Sequence, residues 1–143
     1  QSMTNYGLPL RFKAVDTSSG EEYGTDDLGR LDDMSYEWFF YFEKAEDNPN
    51  VKIYQSTGHK DANGTEVFFG DVLLRHTQWT NVKDVLVTPK LMDIGFLSYR
   101  YDLEVGEWWY LKEDVEKGYL TVIGNIHTPP DELKKKAEEM RNV

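Results

Sequence analysis

Three histidines, His59, His76 and His127, and two aspartates, Asp61 and Asp71, are the residues of this chain best suited to chemistry. Imidazole and carboxylate together suit several divalent ions, so the set defines a candidate metal-dependent hydrolase or nuclease site. The spacing does not build that site locally: no two histidines stand at i, i+4, and there is no HExxH pattern. His59 falls in a turn-rich stretch and is expected to be solvated. Nucleophilic catalysis has less to work with, because there is no cysteine and no serine in a Gly-x-Ser-x-Gly elbow. Gly58 and Gly64 do not form a phosphate-cradling loop, since the Lys-Ser/Thr that should follow is missing. Asp71 is therefore expected to accept backbone N–H groups at a turn, as Asx side chains readily do. No metal and no cofactor is expected.

Trp108 and Tyr110 offer a different kind of site. In a strand, alternate residues face opposite sides, so Trp109 can be core while Trp108 and Tyr110 share the other face. An outward Trp/Tyr pair suits a protein interface, where such residues dominate the energetics. The same pair could instead be buried against the N-terminal segment or a C-terminal helix.

The elements that must position these residues are mostly strands. Leu10 to Val15 alternates apolar and basic residues, as a half-buried strand does, and Asp16 to Gly20 ends it as a polar turn. The aromatic run Trp38 to Phe42 suits a buried strand, with a buried helical turn as the alternative, and Glu43 to Asn50 reads as a loop. Val51 to Gln55 alternates again. Thr57 to Gly64 reads as a long turn closed by Asn63-Gly64, a dipeptide that accepts positive φ at both positions. Glu66 to Phe69 leads to Gly70-Asp71, and Val72 to Leu74 leaves it. Further strands are expected at 83–88, 95–100, 107–111 and 119–126, punctuated by Pro89 and Gly106, with Gly124-Asn125 marking a bulge or tight bend. Thr128 is the expected N-cap of a closing helix with Pro129 in its first turn. Leu133, Ala137 and Met140 form its narrow apolar stripe, to dock with Ile126 and Leu133 as anchors. Short strands at regular spacing favour a barrel over a parallel sheet.

Within this pattern, Gln55, Thr57, Gly58, Lys60, Asp61, Asn63, Gly64, Glu66, Gly70 and Asp71 keep a fixed spacing, and Gly124 and Asn125 break the last strand. These residues resemble the motif of the YopX family: Gln-aromatic-Thr-Gly, Lys-Asp-x-Asn-Gly, an acidic-aromatic pair, then Gly-Asp. Ser56 stands where the aromatic usually sits, and Phe69 where an acidic residue is common. Arg11 to Asp16 is similar to the family's basic–aromatic–basic opening, with Val15 in place of an aromatic. The resemblance implies a mainly β fold, a small Src-homology-3-type barrel with an N-terminal elaboration and a short C-terminal helix. It also implies phage or prophage origin and a bacterial cytoplasmic setting. A single domain is expected over 4–143, after a tag remnant at 1–3: N-terminal strand and variable segment at 10–50, barrel core at 51–127, helix at 128–143.

Composition limits what such a domain does. The chain has 143 residues and a net charge of −10 at pH 7. Residues 1–50 carry four basic and eleven acidic side chains, 51–127 eight and eleven, and 128–143 four of each. So acidic a chain argues against direct nucleic-acid binding, which relies on Lys and Arg to release counterions. No apolar run approaches the roughly 20 residues that span a bilayer, and no secretory leader is seen, so no membrane role is expected. The reading is a non-enzymatic protein-interaction module, self-associating or docking a host or phage protein, with edge strands and the Trp108/Tyr110 face as its surface. The metal-dependent hydrolase and an acidic nucleic-acid mimic stand as alternatives.

Overall fold

A computed structural model describes residues 7–9, 11–23, 50–103 and 106–141. The expectations for the aromatic run 38–42 and for most of the variable segment lie outside these residues. The described chain is mainly β, built as two antiparallel sheets. Strands β1 (Phe12–Asp16), β2 (Glu22–Tyr23), β3 (Val51–Lys60) and β4 (Glu66–Phe68) form the first, in the order β2-β1-β3-β4. Strands β5 (Asp71–Arg75), β6 (Val85–Met92), β7 (Gly95–Arg100), β8 (Trp108–Tyr110) and β9 (Leu120–Asn125) form the second, in the order β8-β7-β6-β5-β9. Helix α1 (Leu111–Glu116) follows β8, and helix α2 (Pro130–Arg141) closes the described chain. Among the described residues the ladders make two sheets, not one closed ring.

All five residues of β5 are buried, so the apolar run Val72–Leu74 faces packing on both sides. One face joins Val67, Leu73, Val85, Val87, Leu111 and Leu120 in a cluster between the sheets. The other sets Val72, Leu74 and Ile123 against Leu133 and Ala137 of α2, with Met140 alongside. The expected helix stripe is therefore the docking face, on the same chain. Ile126 is not an anchor: it is exposed, because the chain turns immediately after Asn125.

Several expectations need correction. β3 runs on to Lys60, and the turn expected from Thr57 is confined to residues 62–64. Gly58, at φ +81°, absorbs the irregularity as a bulge between Ser56 and His59. Gly64 has φ +82° but Asn63 does not have positive φ, so the connection is a type I turn followed by a left-handed glycine. Pro89 does not punctuate; it sits buried within β6, opposite Ser98. Tyr101 donates its N–H to Leu86 O, so Leu86 faces β7 and odd-numbered residues of β6 face β5. Pairing with β5 ends at Val87, and the N–H that Pro89 lacks would point beyond it. Helix α1 was not anticipated; Tyr110 caps it without a side-chain hydrogen bond, so no capping residue announces it. α2 starts at Pro130, and Thr128 accepts the Asn125 N–H (3.0 Å) in place of capping the helix.

Candidate functional site

Gly70-Asp71 lies where the two sheets meet. Gly70 has φ +91°, and a Cβ there would stand 2.7 Å from the Tyr54 ring. Only glycine meets both the backbone conformation and the close approach. Asp71 is fully buried; its Oδ2 accepts the Phe68 N–H at 2.7 Å, the turn role expected from sequence. Its Oδ1 does more, pairing with the Lys13 ammonium from the other sheet. Burial pushes the Asp71 carboxyl up to about 6, against the downward pull of Lys13 and the Phe68 N–H. Lys13 also donates to Glu22 Oε2 at 2.8 Å and lies 5.0 Å from the centre of the Phe68 ring. Period-two alternation placed Lys13 on a solvated face, but both faces of β1 are covered and Lys13 is 2% exposed.

Asn125, from β9, continues the network. Its Nδ2 donates to Glu22 Oε2 at 3.0 Å and to Gly20 O at 2.8 Å, while its Oδ1 accepts the His127 N–H at 2.9 Å. Gly124 beside it leaves room for α2: a Cβ there would meet Leu133 Cδ2 at 2.7 Å and Thr128 Oγ1 at 2.9 Å. The ladder skips Ile123 in the β5–β9 register, so the expected irregularity falls one residue earlier.

Asp61 joins the same two regions from the β3–β4 turn. Oδ1 accepts the N–H groups of Asn63 (2.9 Å) and Thr65 (2.8 Å), and Oδ2 accepts that of Val122 (2.9 Å). Gln55 Nε2 reaches Pro9 O at 3.1 Å, and Thr57 Oγ1 donates to Val67 O at 2.7 Å. Glu66 is gripped by Arg11 through Nε at 2.9 and 3.0 Å. Lys60 is exposed. The motif thus positions strands and turns, and its carboxylates face backbone N–H groups and cations.

The histidines do not gather around these carboxylates. His59 lies within β3, half-buried and not in a solvated turn, and burial lowers its pKa with the Lys112 charge adding to the effect. His76 pairs with Asp84 at 2.7 Å, and His127 bonds the Tyr54 hydroxyl, its pKa lowered by burial and by Lys52. Among the described residues no three His, Asp or Glu side chains could hold a metal together. A second buried ion pair escaped sequence reading: Arg75 Nε donates to Asp114 at 2.9 Å beneath the Trp109 ring, 4.0 Å from its guanidinium carbon. The basic residue in an apolar strand was its only signal.

Trp108 and Tyr110 stand 38% and 44% exposed, their rings edge-to-face at 5.3 Å. Among the described residues β8 is the outermost strand of its sheet. Arg100 donates to Glu107 O at 2.7 Å, so alternation turns the backbone groups of Trp108 and Tyr110 away from β7. The rings share this edge with the outward backbone of Trp108, while the Tyr110 carbonyl turns into α1 as its N-cap.

Residues 11–134 match the sequence profile of the family described as YopX protein. Among solved structures, the crystal structure of protein EF1440 from Enterococcus faecalis aligns at 24% identity, covering 86% of this chain and 96% of that one, with a TM-score of 0.48. No curated protein matches the chain.

Proposed function

The chain belongs to the YopX family, and from that premise we propose that it is a non-enzymatic protein-interaction module of phage or prophage origin. It works in the cytoplasm of a bacterial host and docks a protein partner, including a second copy, along β8. The observation that carries this reading is the exposed Trp108/Tyr110 pair on the outermost described strand, where the Trp108 backbone faces outward. Aromatic anchors supply the energy at such edges, and unpaired N–H and C=O groups supply register. The two sheets are read as an opened, elaborated small barrel of the Src-homology-3 kind. Capture from host lysate with wild type and with Trp108→Ala/Tyr110→Ala tests the reading. A partner held by wild type through high salt, and lost by the variant, is the expected result; equal capture by both overturns it. The net charge of −10 favours a second reading, an acidic surface that docks a basic protein or stands in for nucleic acid. That docking would weaken steeply with salt and ignore the aromatic substitutions.

A further inference from the structure

Glu22 holds an unusual place among the charged residues. Its Oε2 accepts from two donors that are themselves out of water, Lys13 Nζ at 2.8 Å and Asn125 Nδ2 at 3.0 Å. Lys13 is 2% and Asn125 1% exposed, but the Glu22 side chain is 33% exposed and sits on a two-residue strand that, among the described residues, pairs only with β1. The donors are buried and their acceptor reaches the surface. Cavities flank the carboxylate on both sides. One, of about 220 Å3, reaches Lys13, Asp71 and Arg11; the other, of about 390 Å3, reaches Gly20, Asn125 and Thr128. Glu22 and Val122 line both, so the Glu22 side chain stands between them.

Vacating this position would strand neither donor. Lys13 keeps Asp71, and Asn125 keeps Gly20 O and the His127 N–H. What remains is an ammonium and an amide N–H converging on one oxygen position at the seam of the sheets, with Arg11 at the rim already paired with Glu66. A buried ion pair of this kind is a poor device for stability, since apolar residues of like volume do as well or better. Binding sites place a few convergent polar groups beside a cleft, as Lys13 and Asn125 stand here.

We propose that this seam is a carboxylate-binding site which the chain's own Glu22 occupies, and that a small carboxylate molecule competes for the Lys13–Asn125 donor pair. An incoming carboxylate brings the same charge and the same acceptor atoms that Glu22 withdraws, and the displaced Glu22 carboxylate moves out into solvent. Because Glu22 is tethered, it competes at an effective concentration on the millimolar scale or above, and wild type binds free carboxylates weakly. Removal of the tethered competitor uncovers the site.

The test is titration of wild type and Glu22→Ala with acetate, against chloride at matched ionic strength, followed by thermal melting. Saturable stabilisation of Glu22→Ala by acetate, about tenfold or more tighter than in wild type, is the expected result. No stabilisation beyond chloride in either protein overturns the proposal, and equal affinity in both shows that Glu22 does not occupy the site. If Glu22→Ala fails to fold, the Asn125 side-chain amide resonance of wild type reports instead. It should move saturably with acetate and stay still with chloride, and identical behaviour in the two salts overturns the proposal.

Discussion

Lys13 is held out of water between two carboxylates, and its removal leaves Asp71 buried without a cation. Lys13→Met is expected to cost about 3–5 kcal/mol at pH 7, as broken buried pairs do. The pH dependence follows from Asp71, whose carboxyl is raised to about 6 by burial. The folded state then holds this proton more tightly than the unfolded state. Asp71 therefore costs stability as pH rises from the ordinary carboxylate range to about 6, and the cost is complete above it. Without Lys13 the carboxyl rises further, so the deficit of Lys13→Met should shrink between pH 7 and pH 5. Melting curves of both proteins at the two pH values check this; a constant deficit would show that Asp71 stays ionised. Two glycines separate backbone conformation from contact. Gly64, at φ +82°, has nothing near its missing Cβ, whereas Gly70, at φ +91°, faces the Tyr54 ring at 2.7 Å. Gly64→Val should cost about 1 kcal/mol or more, and Gly70→Val clearly more than Gly64→Val, in chemical denaturation. Gly64 was legible because an Asn-Gly turn follows local rules. Lys13 was not, because alternation tells which side a residue faces and says nothing of a second layer above that side.

Helices and strands differ in how plainly they declared themselves. The Leu133–Ala137–Met140 stripe of α2 was readable because its face is periodic and its start is marked by prolines. Its partner surface, Val72, Leu74 and Ile123, is recognisable only once β5 and β9 are paired. Leu133 is 2% exposed, so Leu133→Ala is expected to cost about 2–5 kcal/mol. Truncation after Thr128 should cost more, because it uncovers Val72 and Ile123 as well. Lowered denaturation midpoints for both are the check, and an unchanged midpoint on truncation would show that α2 contributes nothing to the fold. Helix α1 was hidden for the opposite reason. It begins directly after the aromatic strand Trp108–Tyr110 and has no capping side chain, so only its acidic first turn, Glu113 and Asp114, was visible. Pro89 misled because proline usually ends a strand; here the missing donor falls past the last rung with β5.

At the scale of the molecule, the two sheets are joined by polar clasps as well as by core. Asp61 reaches Val122, Lys13 reaches Asp71, and Leu120 O accepts the Ala62 N–H, all across the seam. Among the described residues the β8 edge lies on the flank of the second sheet, opposite β9, with the Trp108 backbone facing outward. Two copies meeting there would bring their Trp108 and Tyr110 rings together, but each carries a net charge of −10. Repulsion between two such bodies is screened by salt over about 8–10 Å at ordinary ionic strength. Self-association through an aromatic edge should therefore strengthen as salt rises, the reverse of an ionic contact. Light scattering of wild type and of Trp108→Lys/Tyr110→Lys across a salt series measures it. The expected outcome is association that grows with salt in wild type and is absent in the variant, whose fold is kept because both side chains are already exposed. Wild type that stays monomeric at every salt concentration would confine β8 to partners other than a second copy.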